Sequence, residues 1–183
     1  TYYSALSEPD KPGSQVSMDR FMCSQLAALA LKGMPAVYFH SLTATTNYLE
    51  GIERTGANRT INRRKWHERE INDFLHDQES HQRKIFFRYR DALQRRGRLK
   101  VFHPNASQEI LDLGPKAFVV KRTSLNQKRR IFCIHNFSDR RLSLEAAPFN
   151  MTAARRDLLT EQKVTAEQGR LVLEPYQVLW LEG

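Results

Sequence analysis

The stretch GMPAVYFHSLTATTNYLEGIERTGANRTINR, residues 33–63, decides how this chain is read. Gly33-Met34-Pro35 stops a helix, because glycine suits the left-handed cap and proline cannot continue the hydrogen-bond ladder. Ala36, Val37, Tyr38 and Phe39 then form an apolar run that is long enough for a buried strand and too short for a core helix. From there to Arg63 the chain is mostly polar, with glycines at 51 and 56. Loops of that length are uncommon and are usually functional or disordered. Tyr48, Leu49, Ile52 and Ile61 give this one apolar anchors that a disordered segment would lack. A helix, a buried strand and a long polar loop at the strand's carboxyl end is the arrangement in which α/β barrels build active sites.

Upstream, residues 7–16 (SEPDKPGSQV) read as a surface loop, and Ser17 can cap a helix from Met18 to Lys32. Phe21, Met22, Gln25, Leu26, Leu29 and Ala30 fall at helical spacing and predict a largely buried helix. Downstream, Arg64–Asp77 has helical composition. Ser80 can cap a further helix ending at Gly97, with Ile85, Phe86, Tyr89 and Leu93 on its apolar face. Its basic residues read as a solvated face.

After Val101 the period changes from 3.6 to 2. Seven strands are expected, at 108–113, 117–121, 130–135, 142–145, 154–158, 170–173 and 177–181, separated by Gly, Pro, Asn and Asp turn signals. Short strands at such spacing predict an antiparallel β-sandwich.

The 183 residues carry a net charge of +9 from 29 basic and 20 acidic side chains. That balance suits anionic partners, but phosphate and small carboxylic acids are anions as much as nucleic acid is. The aromatic residues follow core periodicity, which argues against nucleic acid. No apolar run is long enough to cross a membrane. Cys23 and Cys133 each lie in an apolar pattern and read as buried free thiols of a cytoplasmic protein. His76 and His81 straddle a helix break, and His67-Glu68 lacks the second histidine of a zinc helix motif, so no metal is expected.

MPAVYFHSL (34–42) and EGIERTGANRTINRRK (50–65) resemble the end of the catalytic barrel in sugar phosphorylases of the α-amylase clan, glycoside hydrolase family 13. TYYSAL (1–6) is similar to the family's segment before the last barrel helix, and LEPYQVLWLEG (173–183) to the last strand of its carboxyl-terminal β domain. The resemblance is close over residues 1–96 and one of pattern beyond. A complete (β/α)8 barrel takes about 250 residues. The resemblance therefore implies an α/β plus all-β fold: the last βα unit of such a barrel over 1–97, then a small antiparallel β-sandwich over 98–183. It implies the carboxyl-terminal part of a longer enzyme, inert alone and dependent on the rest of the barrel.

The implied activity is reversible phosphorolysis of an α-glucoside, with retention, to α-glucose 1-phosphate, with inorganic phosphate as co-substrate and no cofactor. Retaining chemistry needs two carboxyl groups flanking the bond, and the family's motifs for them are absent from 1–183. No residue here is assigned as catalytic. By resemblance Arg59 aligns with an arginine that contacts the acceptor, and a guanidinium fork matches phosphate or carboxylate. Asn58 stands beside it, and His40 at the strand's end could face the same cleft. Asn62, Arg63, Glu50 and Glu53 read as loop supports, the two acids through ion pairs with Arg54 or Arg59. Asn58 replaces a glycine expected in sucrose-cleaving members and points to the glucosylglycerate type. The alternatives are a sucrose-type phosphorylase, a hydrolase of the same clan, or a non-catalytic carbohydrate- or anion-binding module. The carbohydrate module would need Phe149, Tyr176 and Trp180 exposed in a row.

Overall fold

The computed structural model describes residues 1–183 and divides into two compact units. One holds Thr1–Met22 and Ala36–Asp91, the other Cys23–Pro35 and Ala92–Gly183. This partition runs through two helices, whereas the sequence places one boundary after residue 97.

The first unit is helical. Its elements are α1 (Tyr2–Leu6), the start of α2 (Gln15–Ala30), α3 (Phe39–Leu42), α4 (Leu49–Thr55), α5 (Glu68–His76) and most of α6 (His81–Arg98). Helix α2 begins a turn before the expected cap: Ser14, not Ser17, accepts the backbone N–H of Ser17 through its hydroxyl, at 3.1 Å. The Ser17 hydroxyl instead accepts from Glu8 N and donates to Lys11 O, tying down the preceding loop. Helix α5 starts at Glu68 rather than Arg64, because the Glu70 carboxylate caps the free N–H of His67 at 2.8 Å. The core of this unit is Tyr3, Met18, Phe21, Met22, Phe74, Ile85 and Tyr89. The Tyr3 ring meets Phe21 edge-on at 5.0 Å and stacks on His81 at 5.3 Å.

The strand expected at Ala36–Phe39 does not form. All eight strands of the chain lie between Ser107 and Glu182, so this run has no neighbouring strand with which to share hydrogen bonds. Its two aromatic side chains stay in solvent, Tyr38 60% and Phe39 48% exposed, and Phe39 begins the single turn of α3. No barrel unit is therefore seen.

Helix α6 also runs past its expected stop. Gly97 lies inside it, and the last turn is held where Arg96 donates to Leu29 O (2.9 Å) and Gly33 O (2.8 Å). A helical glycine costs about 1 kcal/mol against alanine, and these bonds offset it.

The second unit is built on strands close to those expected. β1 (Ser107–Leu111), β2 (Ala117–Thr123), β3 (Arg130–Asn136) and β8 (Val178–Glu182) make an antiparallel sheet in the order β1-β2-β3-β8. β4 (Leu142–Glu145) pairs with β7 (Arg170–Leu173), and the short β5 (Arg155–Arg156) with β6 (Lys163–Val164). One core contains Val119, Phe132, Ile134, Leu144, Phe149, Leu171, Leu173, Leu179 and Leu181. On β3, Cys133 alternates with these residues and lies opposite Trp180 of β8, whose ring packs on Phe102 at 4.7 Å. Trp180 and Phe149 are thus core residues, which removes the aromatic row that a carbohydrate-binding module would need. Cys23 and Cys133 are buried and form no disulfide.

Candidate functional site

Residues 48–63 fold back on themselves. Tyr48 N donates to Ile61 O at 2.8 Å and closes the base of the segment. Helix α4 ends at Gly56, whose φ of 67° permits the left-handed cap that returns its N–H to Ile52 O. The Thr55 hydroxyl lies 2.7 Å from Gly51 O and 2.9 Å from the Thr60 hydroxyl, joining α4 to a 3₁₀ turn at Asn58–Asn62. Gly51 makes this approach possible: a Cβ there would lie 2.3 Å from the Tyr48 ring and 2.7 Å from Thr60 Cγ2. The expected open loop is a short helix and a turn locked together.

On that turn Arg59 and Asn58 are exposed, and neither side chain has a hydrogen-bond or ion-pair partner. Arg63 is exposed as well. Glu50 and Glu53 sit on α4, and neither pairs with Arg54 or Arg59. The expected loop-bracing ion pairs are not made, because contacts within 48–61 already hold the turn and an exposed pair adds little.

Asn62 and His40 come together on the wall of a cavity of about 200 Å³, with Tyr2, Tyr3, Tyr38 and Ser41. Arg59 and Asn58 are not part of that wall. His40 belongs to α3 rather than to a strand end. Its Nε2–H donates to Arg64 O at 2.8 Å, which leaves Nδ1 as the acceptor in that tautomer. That nitrogen is buried and has no partner, which suits a ligand hydroxyl.

The residues that anchor this segment are not among those singled out from the sequence. The Arg64 guanidinium lies 3.9 Å over the Trp66 ring and bonds Glu70 at 2.9 Å. Trp66 Nε1–H donates to the Thr45 hydroxyl at 2.9 Å, and the ring meets Phe74 edge-on at 5.4 Å. The His67 N–H and then Arg64 hold the Glu70 carboxyl below its usual range. A usable signal was present: an arginine two before a tryptophan and six before a glutamate.

These parts can bind. An unpaired guanidinium on a rigid turn can hold an anion, and an acceptor nitrogen with amide and phenol groups can hold a polyol. No group of three His, Cys, Asp or Glu side chains is placed to hold a metal ion.

Residues 121–182 match the family described as Amylosucrase, C-terminal domain. Across 98% of its length the chain is 33% identical to a glucosylglycerate phosphorylase of Spirochaeta thermophila. Across 99% it is 31% identical to one of Allomeiothermus silvanus. This chain is similar to sugar phosphorylases of the α-amylase clan. It spans about a third of the length of these curated relatives, covering 32% and 30% of them. Among solved structures it resembles one of AmyP in complex with maltotriose (TM-score 0.72, 12% identity, 98% of this chain and 37% of that one). It also resembles an Anoxybacillus alpha-amylase (TM-score 0.65, 15% identity, 91% and 33%). At such identities the likeness establishes a shared fold: helices followed by an antiparallel β region, as in amylase-type proteins.

Proposed function

We propose that this chain is part of a retaining α-glucosyl phosphorylase that converts glucosylglycerate and inorganic phosphate to α-glucose 1-phosphate and glycerate. The supporting observation is similarity along nearly the whole chain to glucosylglycerate phosphorylases. In such a reaction one carboxylate attacks the sugar carbon while the other protonates the departing glycerate oxygen. A phosphate oxygen then takes the glucosyl group and leaves the carboxylate free again. Both carboxylates lie outside these residues on this reading, so the 183-residue chain alone is inactive. Arg59 is the anion contact, placed where glycerate leaves and phosphate enters. Asn58 lies beside it, and His40 and Asn62 accept and donate to hydroxyl groups. Arg59 is suited to the task because the turn that carries it is rigid while its guanidinium is unpaired.

The test measures phosphate-dependent release of glucose 1-phosphate from glucosylglycerate and from sucrose. It uses the longer protein that carries this chain, with and without Arg59→Ala. The expected result is release from glucosylglycerate that falls by about a hundredfold or more in the variant, as when one anion-stabilising donor is removed. Glucose release that needs no phosphate would make the protein a hydrolase and overturn the reading.

A further inference from the structure

A second cavity, of about 210 Å³, is lined wholly by residues of the unit that contains the β-strands. Six cations converge on it: Arg95, Arg98, Lys100, Arg129, Arg130 and Arg156. Only two carboxylates, Glu161 and Glu182, face the same space. Glu161 pairs with both Arg95 and Arg156, while Arg98, Lys100, Arg129 and Arg130 pair with no carboxylate. Like charges crowded into one concavity repel, and a bound anion relieves that repulsion.

Part of the wall is rigidly built. Asp157, 1% exposed, accepts hydrogen bonds from Leu159 N (3.1 Å), Thr160 N (3.2 Å), the Thr160 hydroxyl (2.7 Å) and Trp180 N (2.8 Å). The turn fixed in this way holds Glu161 at a φ of 67°, which a residue with a Cβ adopts only under constraint. From there Glu161 grips both arginines, and the Leu158 carbonyl accepts a further bond from Arg95 at 3.1 Å. Both bonds of Arg95 leave from Nη1, and Arg156 bonds through Nη2, so each fork keeps free N–H donors. Burial of Val101, Ile131 and Leu158 gives the cavity an apolar floor. Arg156 first, and Arg95 after it, hold the Glu161 carboxyl below its usual range, so it stays charged and keeps its grip.

We propose that this cavity binds a small phosphomonoester, its dianionic phosphate held by the arginine forks and its organic body lying on the apolar floor. None of its residues takes part in the proposed phosphorolysis, so either reading can fail without the other.

The experiment is calorimetric titration of the chain with phenyl phosphate at fixed ionic strength, with inorganic phosphate and phenol as comparisons. One site per chain is expected, with phenyl phosphate tighter than inorganic phosphate and no saturable signal from phenol. Arg129→Ala with Arg130→Ala should weaken phenyl phosphate at least tenfold. Lys65→Ala with Arg69→Ala removes the same charge from exposed positions just before and within α5 and should change affinity by less than twofold. Glu182→Gln should tighten binding two- to threefold, a gain that loss of folding cannot mimic. Absence of saturable binding, equal weakening by the two double variants, or no tightening in Glu182→Gln would overturn the proposal.

Discussion

The sheet β1-β2-β3-β8 and the segment 48–63 are both well-defined pieces of backbone, held by different forces. In β3 every residue from Ile131 to Asn136 is buried, and Phe132 and Ile134 enter a core shared with β4, β7 and β8. In 48–63 only Gly51 is buried. That segment keeps its shape through the Tyr48–Ile61 backbone bond, the Thr55–Thr60 hydroxyl pair and the ring of Tyr48 against Gly51. The handling of charge differs in the same way. Arg122 in β2 is fully buried, bonded to Ala30 O (3.0 Å) and His103 O (3.4 Å), and burial lowers its pKa. Arg59 on the 3₁₀ turn is exposed and unpaired. An arginine buried with its guanidinium bonded to backbone carbonyls braces a fold, whereas one held on a turn with its donors free is available to a ligand.

The contrast can be broken most forcefully in the sheet. Phe132→Ala removes a ring that is 2% exposed and meets Phe149 edge-on at 5.4 Å. Unfolding in urea should show a loss of about 3–5 kcal/mol; a loss below about 1 kcal/mol would mean that this core is loosely packed.

Next in size is a pH effect from the same strand. Burial drives the His135 pKa down from 6.5 to about 4, opposed by the bond from its Nδ1–H to Phe118 O. The folded protein therefore prefers a neutral ring, while the unfolded chain takes up a proton below about pH 6.5. The stability this provides is complete above that pH and is lost as pH falls toward 4, a change on the order of 3 kcal/mol. The slope of unfolding free energy against pH in this window should flatten in His135→Gln. An unchanged slope would assign the acid sensitivity to other groups.

A smaller effect is expected in 48–63. Gly51→Ala sets a methyl group against Tyr48 and Thr60 and should cost about 1–3 kcal/mol while loosening the turn, read as faster proteolysis between residues 48 and 63. Arg59→Ala should leave stability within about 0.5 kcal/mol, because no partner is lost. A larger drop on thermal melting would show that Arg59 braces the fold after all.

The β region was legible because its strands find their partners within the same stretch of chain. Leu142–Glu145 and Arg170–Leu173 have the bounds expected of them, and Arg130–Asn136 differs from its expected span by one residue. The two-residue pair β5 and β6 is hidden by its brevity: the sequence pattern predicts a longer strand at the first and none at the second. Ala36–Phe39 misled for the opposite reason, since an apolar run states a preference for burial but a strand also requires a neighbour. In the candidate site, Arg59 and Asn58 could be picked out by resemblance, and Gly51 could be seen without its purpose.

The sequence by itself determined the apolar periods, the helix and turn signals and the family likeness, all of which depend on local spacing along the chain. Tertiary structure alone decided that Arg64, Trp66, Glu70 and Thr45 form one anchor, that His40 has an acceptor nitrogen to spare, and that Arg95 and Arg156 share Glu161. Many of these groups stand far apart in the chain, and all of them depend on side-chain directions that spacing does not encode. A charge is satisfied or left free by whatever the fold brings within hydrogen-bond reach of it.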